Sequence, residues 1–371
     1  MQRNSRICMS TGRGFNKKAY HCGLYEAQDV LCGLDDVDLI APEPTRFFRL
    51  REKMQKRLLW HDYSRQISHI NPGLHAVQLK KEYEIFISVC QNFWDLLYVN
   101  AIKGWKDLCR VSICWIDEVW AHSLPYYKYW LPVLDNFDYV VISLKGSVSS
   151  FSEAIKRVCH YVPGGVDAIR FNPYPDPPPK VIDVYSIGRT HNGVHKSLLT
   201  LASQQKIFYI HDTFSGADAE VIDIQEHRQM YANLLKRCRY FIVWPAKMDL
   251  KEDTFGQIEV GFRYYEGAAA GAVLIGQTPD CESFRETFNW HDPVIEINPD
   301  GSDVQDVLSW LSTRPDMLRE FSRNNAIAGL LRFDWAYRWK EIFGIAGIKP
   351  PKYLEERENK LMELAEETRK Q

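Results

Sequence analysis

The sequence reads GFRYYEGAAAGAVLIG from residue 261 to residue 276. Residues 267–270 are small and are expected to form a helix that a neighbouring strand can approach closely. Gly271 suits the positive φ that the end of a helix often needs, and the apolar run at 272–275 is typical of a buried strand. A helix that turns directly into a buried strand indicates the repeating unit of a doubly wound α/β fold.

Short apolar runs alternate with helix-like stretches along most of the chain. In the first half the runs lie at 6–10, 37–40, 83–89, 110–115 and 139–143, and in the second half at 181–187, 207–210, 240–244, 272–275 and 294–297. This alternation predicts parallel sheets with helices on both faces. We therefore expect two doubly wound, Rossmann-like α/β domains, with the binding site at strand ends in the cleft between them.

A proline-rich break separates the two sets of runs. Five of the eight residues at 172–179 are proline, a density that excludes a helix or a central strand. The break indicates a stiff connector. We expect an N-terminal acceptor domain at 1–170, a C-terminal donor domain at 171–345 and a charged, solvated helix at 346–371.

Composition and charge limit the classes of function. The chain has 371 residues, of which 45% are hydrophobic and 25% charged, as in ordinary globular proteins. Its formal net charge of −2 argues against a domain-wide basic field, so we expect no nucleic-acid partner. Nine cysteines without a CxxC pair, no signal peptide and no long apolar stretch indicate a cytoplasmic protein with reduced thiols and no transmembrane helix.

Several stretches together resemble the motifs of a known family. Residues 162–167 read VPGGVD, residues 170–173 read RFNP, and residues 187–189 read IGR. With residues 261–276 they are similar to the hinge, first-strand and donor motifs of GT-B-fold glycosyltransferases, near the retaining family called group 1 or family 4. The resemblance covers roughly residues 155–345, and the Arg-Tyr-Tyr-Glu variant of the donor motif resembles a subgroup related to spore-maturation proteins.

The resemblance implies an enzyme that moves a sugar from a nucleotide-diphosphate-sugar donor to a glycan, a lipid-linked acceptor or another hydroxyl, with retention. It implies a site without metal and no cofactor besides the nucleotide-sugar co-substrate. A hexosyltransferase of polysaccharide biosynthesis would be one such enzyme. Two alternatives stay open, a nucleotide-sugar epimerase and a non-catalytic carbohydrate-binding or scaffold protein of the same fold.

The resemblance also implies candidate donor-binding residues in the second half of the chain. Arg189 and Lys196 would hold the leaving diphosphate, since guanidinium and ammonium groups bind phosphate oxygens. Glu266 would bind the ribose hydroxyls, and Glu259 would be the catalytic-site carboxylate that holds the sugar hydroxyls. The family places that carboxylate one residue earlier, where this chain has Ile258.

Three donor-site assignments have alternatives. Lys196 lies two residues later than the family's lysine, so His195 can hold its role instead. Glu266 falls near a helix start, where the helix dipole favours a carboxylate whatever its function. Arg263 is an additional cation close to Glu266, and it can bind phosphate or pair with that carboxylate.

Candidate residues of the first half follow predicted strands. Gly12 and Gly14 come after the first strand, where the family has a glycine-rich turn that approaches donor and acceptor, although an ordinary βα turn would read the same. Asp117 or Glu118, with His122, would orient an acceptor hydroxyl or contact the donor sugar, because strand-end carboxylates point toward the cleft. We take Asp117 as the catalytic candidate, with surface loop charges as the alternative.

Residues 46–66 form a basic segment. Phe47, Leu50, Met54 and Leu58 recur there at helical spacing among seven basic residues, Arg46, Arg49, Arg51, Lys53, Lys56, Arg57 and Arg65, and two acidic ones, Glu52 and Asp62. The pattern predicts a basic amphipathic helix. Such a helix either rests on an anionic membrane surface at the inner face or packs on the sheet with a solvated basic face.

Overall fold

The structure is a computed structural model that describes residues 5–61, 65–213 and 219–371. The chain forms two compact units. The first unit consists of residues up to 163 with 253–257 and 338–354, and the second of residues 164–252, 258–337 and 355–371. The chain thus leaves each unit and later returns to it. The expected boundaries near residues 170 and 345 do not include these returns, and they stay a prediction.

The first unit is built on a parallel sheet. Its strands are β1 (Ile7–Ser10), β2 (Val37–Ile40), β3 (Val77–Gln78), β4 (Tyr83–Cys90), β5 (Ile102–Lys103), β6 (Cys109–Ile116), β7 (Tyr139–Ile142) and β8 (His160–Tyr161). Six of them pair in the order β2-β1-β4-β6-β7-β8, with every neighbouring pair parallel, and β3 pairs with β5. The first helices are α1 (Cys22–Leu34), α2 (Phe48–Trp60), α3 (Trp105–Leu108) and α4 (Val148–Ile155). The side chains of β4 are nearly all buried, as expected of a parallel strand that is covered on both faces.

The second unit is built on another parallel sheet. Its strands are β9 (Ile182–Ser186), β10 (Tyr209–His211), β11 (Cys238–Val243), β12 (Val273–Gly276) and β13 (Ile295–Glu296), which pair in the order β10-β9-β11-β12-β13. The remaining helices of the chain are α5 (Ala168–Phe171), α6 (Asn192–Ser203), α7 (Ile224–Arg237), α8 (Lys251–Thr254), α9 (Phe262–Ala269), α10 (Glu282–Thr287), α11 (Val304–Ser312), α12 (Pro315–Ala328), α13 (Trp335–Ile345) and α14 (Leu354–Arg369). None of the helices in the described ranges is both long and apolar enough to span a bilayer. The two parallel sheets confirm the expected α/β class.

The stretch at 261–276 forms the expected helix and strand, α9 and β12. They are joined through Gly271, whose φ is +60°. A Cβ atom at Gly267 would lie 2.6 Å from side-chain atoms of Phe241 and Leu274, on β11 and β12. The missing side chain therefore lets α9 lie close against the sheet. Because α9 runs antiparallel to the strand that follows it, its first turn lies at the carboxyl edge of the sheet.

Helix α14 is packed along one face. Leu361 and Ala365 are fully buried in the core of the second unit. Arg357, on the same helix, donates hydrogen bonds to Asp334 Oδ1 at 2.8 Å and to Asp167 Oδ1 at 2.7 Å. The expectation of a solvated helix was therefore wrong, because one face of α14 is packed against the core. The charged residues that dominate its sequence lie mostly on the opposite, exposed face.

Helix α2 packs with a different face from the one that its apolar spacing indicates. Phe47, Leu50 and Met54 are exposed. The buried residues of α2 are Phe48, Glu52, Gln55 and Leu59. Three of the four residues of the apolar stripe are therefore on the outer surface with the basic residues, and the fourth, Leu58, is partly buried. Asp62, which belongs to the same basic segment, lies outside the described residues.

Candidate functional site

The carboxyl edge of the second unit's sheet carries a glycine turn next to an arginine. Gly188 follows β9 with a φ of +80°, and its N–H donates a hydrogen bond at 2.6 Å to Asp212 Oδ2, just after β10. Arg263, in the first turn of α9, donates from Nε to the carbonyl oxygen of Ile187 at 3.4 Å. A Cβ atom at Gly188 would lie 3.7 Å from Arg263 Nη2. The guanidinium group of Arg263 thus lies next to the backbone of a glycine, at the edge of the sheet where doubly wound folds bind ligands.

Arg263 belongs to an ion-pair cluster, which we define as Arg228, Tyr231, Arg263 and Glu266. Glu266 is 1% exposed, and its Oε1 accepts a hydrogen bond from Arg228 Nη1 at 2.7 Å. Its Oε2 accepts one from Arg263 Nη1 at 2.7 Å and another from the Tyr231 hydroxyl at 3.0 Å. Burial by itself would raise the pKa of Glu266, but the two guanidinium groups outweigh burial and lower the pKa to about 2. Glu266 is therefore ionised at neutral pH.

The two guanidinium groups of the ion-pair cluster differ in how accessible they are. Arg228 is 3% exposed, whereas 35% of the Arg263 side chain is exposed. The accessible guanidinium group of the cluster is therefore that of Arg263, and it can bind phosphate oxygens. The sequence left two roles open for Arg263, which were to bind phosphate or to pair with Glu266. The structure has the ion pair with Glu266. The role of Glu266 as a ribose ligand stays a prediction, and its carboxylate is enclosed by the cluster.

Arg228 and Tyr231 were not predicted from the sequence. Both lie on α7, on the same buried face as Ala232 and Leu235. The available signal was a charged residue at a position where the helical pattern calls for an apolar one. A buried arginine of this kind needs a carboxylate partner, and Glu266 is that partner.

Glu259 lies just before α9 and is 2% exposed. Its carbonyl oxygen accepts a hydrogen bond from the N–H of Ala246 at 3.0 Å, which joins the segment after β11 to the start of α9. Ile258, where the family has its carboxylate, is 37% exposed. The structure therefore has Glu259 buried near the turn that carries Arg263, and its contact with sugar hydroxyls stays a prediction.

The two other donor-site candidates, Arg189 and Lys196, are not part of the ion-pair cluster. Arg189 Nε lies 2.7 Å from Asp249 Oδ1, and both side chains are about half exposed. Lys196 is exposed on α6. His195, the alternative to Lys196, shares a hydrogen bond between Nδ1 and the Tyr209 hydroxyl at 3.0 Å. Lys196 is thus the more accessible of the two residues that the sequence left open.

The glycine-rich turn of the first unit is a compact connection after β1. The carbonyl oxygen of Gly12 accepts a hydrogen bond from the N–H of Asn16 at 2.8 Å. A Cβ atom at Gly12 would lie 3.2 Å from the Tyr25 hydroxyl, and one at Gly14 would lie 3.6 Å from the carbonyl oxygen of Pro42. These contacts are those of an ordinary βα turn, and an approach to donor or acceptor stays a prediction.

Asp117 is a buried carboxyl group that follows β6. It is 6% exposed, and its Oδ2 accepts a hydrogen bond from Gln91 Nε2 at 2.8 Å. Burial, with a smaller contribution from Glu118, raises the pKa of Asp117 to about 7. Glu118 itself accepts from Trp120 Nε1 at 2.8 Å, and the ring of His122 stacks on a phenylalanine ring 4.3 Å away. A strongly shifted pKa at a strand end is typical of functional groups, so Asp117 stays the catalytic candidate of this unit.

Several solved structures are similar to this chain. An α-glucosyltransferase in complex with UDP and a 13-mer DNA containing a HMU base matches with a TM-score of 0.56 and 12% identity, over 92% of this chain and 99% of its own. HepE from Anabaena in complex with UDP-glucose matches with a TM-score of 0.53 and 11% identity, over 93% of this chain and 100% of its own. Both are glycosyltransferases of the GT-B fold. This chain has the GT-B fold. No family model matches the sequence, and no curated protein matches it significantly.

The GT-B fold overturns one exclusion drawn from the sequence. The α-glucosyltransferase was solved with DNA, so proteins of this fold do take nucleic acid. The prediction of no nucleic-acid partner was therefore wrong. Its physical error was to use the net charge, which averages over the whole surface, whereas single elements can be locally basic, as α2 is with its exposed Arg49, Arg51 and Lys53. Local charge decides where a polyanion can bind.

The described residues do not bring three or more His, Cys, Asp or Glu side chains together in a group that could hold a metal ion. The polar groups gathered at the carboxyl edge of the second unit's sheet are instead two guanidinium groups, a tyrosine hydroxyl and carboxylates. Among them the partly exposed guanidinium group of Arg263 is suited to an anionic ligand.

Proposed function

We propose that the chain is a glycosyltransferase that moves a sugar from a nucleotide-diphosphate-sugar donor to a hydroxyl acceptor. The observation that carries the proposal is the partly exposed guanidinium group of Arg263 at the carboxyl edge of the second unit's sheet. UDP and UDP-glucose in the similar GT-B structures support the same class of ligand. The resemblance to the retaining group 1 family supports transfer with retention at a site without metal.

We also propose that the protein is cytoplasmic, since its nine cysteines are free thiols.

The reaction requires cations where negative charge develops. As the bond between the anomeric carbon and the diphosphate oxygen breaks, the diphosphate takes the electron pair. The acceptor oxygen forms the new bond to the anomeric carbon and loses its proton. Arg263 is suited to stabilise the leaving diphosphate, because a guanidinium group can donate two parallel hydrogen bonds to phosphate oxygens. Arg189 and Lys196 are exposed and are proposed to add to this charge.

Two carboxyl groups are proposed for the other parts of the reaction. Glu259, buried just before α9, is proposed to hold hydroxyls of the donor sugar. Asp117, in the first unit, is proposed to act on the acceptor hydroxyl, because a pKa near 7 lets a carboxyl group take up and release a proton at neutral pH.

The proposal is tested by nucleotide binding to Arg263→Ala. Isothermal titration with UDP, GDP, ADP and dTDP, with and without EDTA, is expected to show one preferred nucleotide whose affinity EDTA does not change. Arg263→Ala is expected to weaken that binding by roughly 10- to 100-fold, because hydrogen bonds to charged groups contribute about 1.5–3 kcal/mol. Arg239→Ala removes an exposed guanidinium group at the start of β11, 3.7 Å from Asp183, and serves as the matched control.

Two results would contradict the proposal. Unchanged nucleotide binding in Arg263→Ala would remove the proposed role of the ion-pair cluster. No binding of any of the four nucleotides by the wild-type chain would favour the non-catalytic alternative, for which Ile258 in place of the family's carboxylate is the specific observation. Conversion of a nucleotide sugar in the absence of any acceptor would identify an epimerase instead.

A further inference from the structure

We propose that the exposed face of α2 binds the anionic surface of a lipid membrane. The inference goes beyond the proposed function and does not depend on it, because lipid binding is measured without a nucleotide. It concerns peripheral contact, since no helix in the described ranges is able to span a bilayer. If the proposed function holds, such a contact would bring the enzyme to the surface at which a lipid-linked acceptor lies.

The face of α2 that points away from the core carries three large apolar side chains, Phe47, Leu50 and Met54, which we call the outer stripe. They follow one another at helical intervals of three and four residues, and each of them is about half exposed. The opposite face of α2 packs on the fold, with Phe48 and Leu59 buried. Single exposed apolar residues are normal, but a contiguous set bordered by polar residues is typical of an interaction surface.

Basic residues border the outer stripe on both sides. Arg49, Lys53 and Arg57 recur at intervals of four, so they line one side of it, and all three are exposed. Arg51 lies three residues before Met54 and is exposed on the other side. Long basic side chains next to an apolar stripe can reach lipid phosphates while the stripe enters the boundary of the acyl chains.

The segment around α2 has a local surplus of positive charge, although the net charge of the whole chain is −2. Residues 43–65 contain seven basic and three acidic residues, a surplus of four. When Arg65 is left out because it pairs with Asp135 at 2.8 Å, a surplus of three remains. Anionic lipids attract each arginine or lysine that lies near the membrane surface. The charge of this segment is therefore complementary to an anionic membrane.

An aromatic pair extends the exposed face at the end of α2. Trp60 lies three residues after Arg57, and its ring stacks on that of Tyr126, with centroids 5.8 Å apart and an interplanar angle of 8°. Both aromatic residues are exposed. Each combines an apolar ring with a polar group, which suits the boundary between lipid and water.

The outer stripe decides between two anionic partners that a basic surface can bind. A nucleic acid is held through its phosphates and, when it is single-stranded, through stacking of its bases on aromatic rings. Neither interaction uses aliphatic side chains such as Leu50 and Met54. A membrane surface offers phosphates to the basic residues and acyl chains to the outer stripe. The combination of the two features therefore favours a membrane.

The test is sedimentation of the full chain with lipid vesicles. The wild-type chain is expected to bind phosphatidylcholine vesicles that contain about one third phosphatidylglycerol and to stay in solution with phosphatidylcholine alone. Leu50→Ser with Met54→Ser keeps every charge and is expected to lower the partition onto the mixed vesicles by about tenfold, because less apolar surface enters the lipid. Lys53→Gln with Arg57→Gln keeps the outer stripe and is expected to lower that partition by roughly 10- to 30-fold.

The matched controls make the same chemical changes at exposed positions of the second unit. They are Leu199→Ser with Met362→Ser, and Lys206→Gln with Arg237→Gln. Both controls are expected to partition like the wild-type chain. Circular dichroism checks that every variant is folded, as expected for changes at exposed positions.

Several results would overturn the proposal. No binding of the wild-type chain to the mixed vesicles, or equal binding to phosphatidylcholine alone, would exclude an anionic membrane as the partner. An unchanged partition in either double variant of α2 would show that its exposed face does not contact the lipid. Binding of a single-stranded oligonucleotide that Lys53→Gln with Arg57→Gln abolishes, without vesicle binding, would assign the face to nucleic acid. None of these results changes the nucleotide titration, so a failure here is separate from a failure of the proposed function.

Discussion

Glu266 and Asp117 are both buried carboxyl groups, yet their pKa values move in opposite directions. Burial disfavours the charged form of each. Glu266 has two guanidinium partners that outweigh burial and lower its pKa to about 2. Asp117 has a neutral amide partner, Gln91, and an acidic neighbour, Glu118, so its pKa rises to about 7. The presence of a cation decides whether a buried carboxyl group is charged at neutral pH.

The raised pKa of Asp117 predicts a stability that depends on pH. Between about pH 4 and pH 7 the folded chain keeps a proton on Asp117 that the unfolded chain has released, so stability falls as pH rises through this window. Asp117→Asn is neutral at every pH and avoids this loss. We expect the variant to be more stable than wild type at pH 8 by on the order of 2–4 kcal/mol and nearly equal to it at pH 4. Urea unfolding at the two pH values measures the difference.

The control for Asp117→Asn is Asp107→Asn, the same chemical change at an exposed position. Its effect on the free energy of unfolding is expected to stay within about 0.5 kcal/mol at both pH values. A gain from Asp117→Asn that is the same at pH 4 and pH 8 would contradict the pKa shift. So would a loss of stability at pH 8.

At the residue scale the sequence predicts neighbours better than distant partners. Arg263 and Glu266 are three residues apart on one helix, so the sequence alone indicated that they could pair. The structure has this ion pair. Arg228 is 38 residues away from Glu266 along the chain. Their contact depends on how α7 and α9 pack on the sheet, and no local spacing encodes that packing.

At the scale of the element, α2 shows why apolar spacing alone did not identify the packed face. Its buried face includes Glu52, which accepts hydrogen bonds from Lys56 Nζ at 2.8 Å and from the Tyr98 hydroxyl at 2.5 Å. It also includes Gln55, whose Nε2 donates to the carbonyl oxygens of Ile67 and Ile70. Polar side chains can be buried when they bind groups outside their own helix, here Tyr98 and the carbonyl oxygens of Ile67 and Ile70, and those partners are not visible in a helical pattern.

Two adjacent phenylalanines test the orientation of α2. Phe48 is 2% exposed and packs in a small core with Phe15 and Leu74, whereas Phe47 is 48% exposed. Phe48→Ala is expected to lower the free energy of unfolding by about 3–5 kcal/mol, the usual cost of removing a buried aromatic ring. Phe47→Ala is the matched control and is expected to cost less than about 1 kcal/mol. Chemical denaturation of the two variants measures both values, and the reverse order would mean that the other face of α2 is packed.

At the scale of the whole molecule, the alternation of apolar runs was sufficient to predict two parallel sheets. Each run that pairs in parallel needs a covering helix, and this requirement leaves a pattern that can be read locally. The returns of the chain, at 253–257 and 338–354 to the first unit and from 355 to the second, leave no such pattern. They include long-range contacts such as those of Arg357 with Asp167 and Asp334, which no local spacing encodes.

The last return of the chain predicts a stability effect outside the ion-pair cluster. Arg357 on α14 is the guanidinium partner of Asp334, which is fully buried, and of Asp167. Arg357→Ala would leave the carboxylate of Asp334 buried without that partner, so we expect a loss of about 3–5 kcal/mol in the free energy of unfolding. Arg369→Ala, which removes an exposed arginine paired with Glu366 on the same helix, is the control and is expected to cost less than about 1 kcal/mol. Calorimetry on both variants compares them directly. Equal effects would mean that α14 is held by its apolar face, through Leu361 and Ala365, and that the ion pairs of Arg357 contribute no more than a surface pair does.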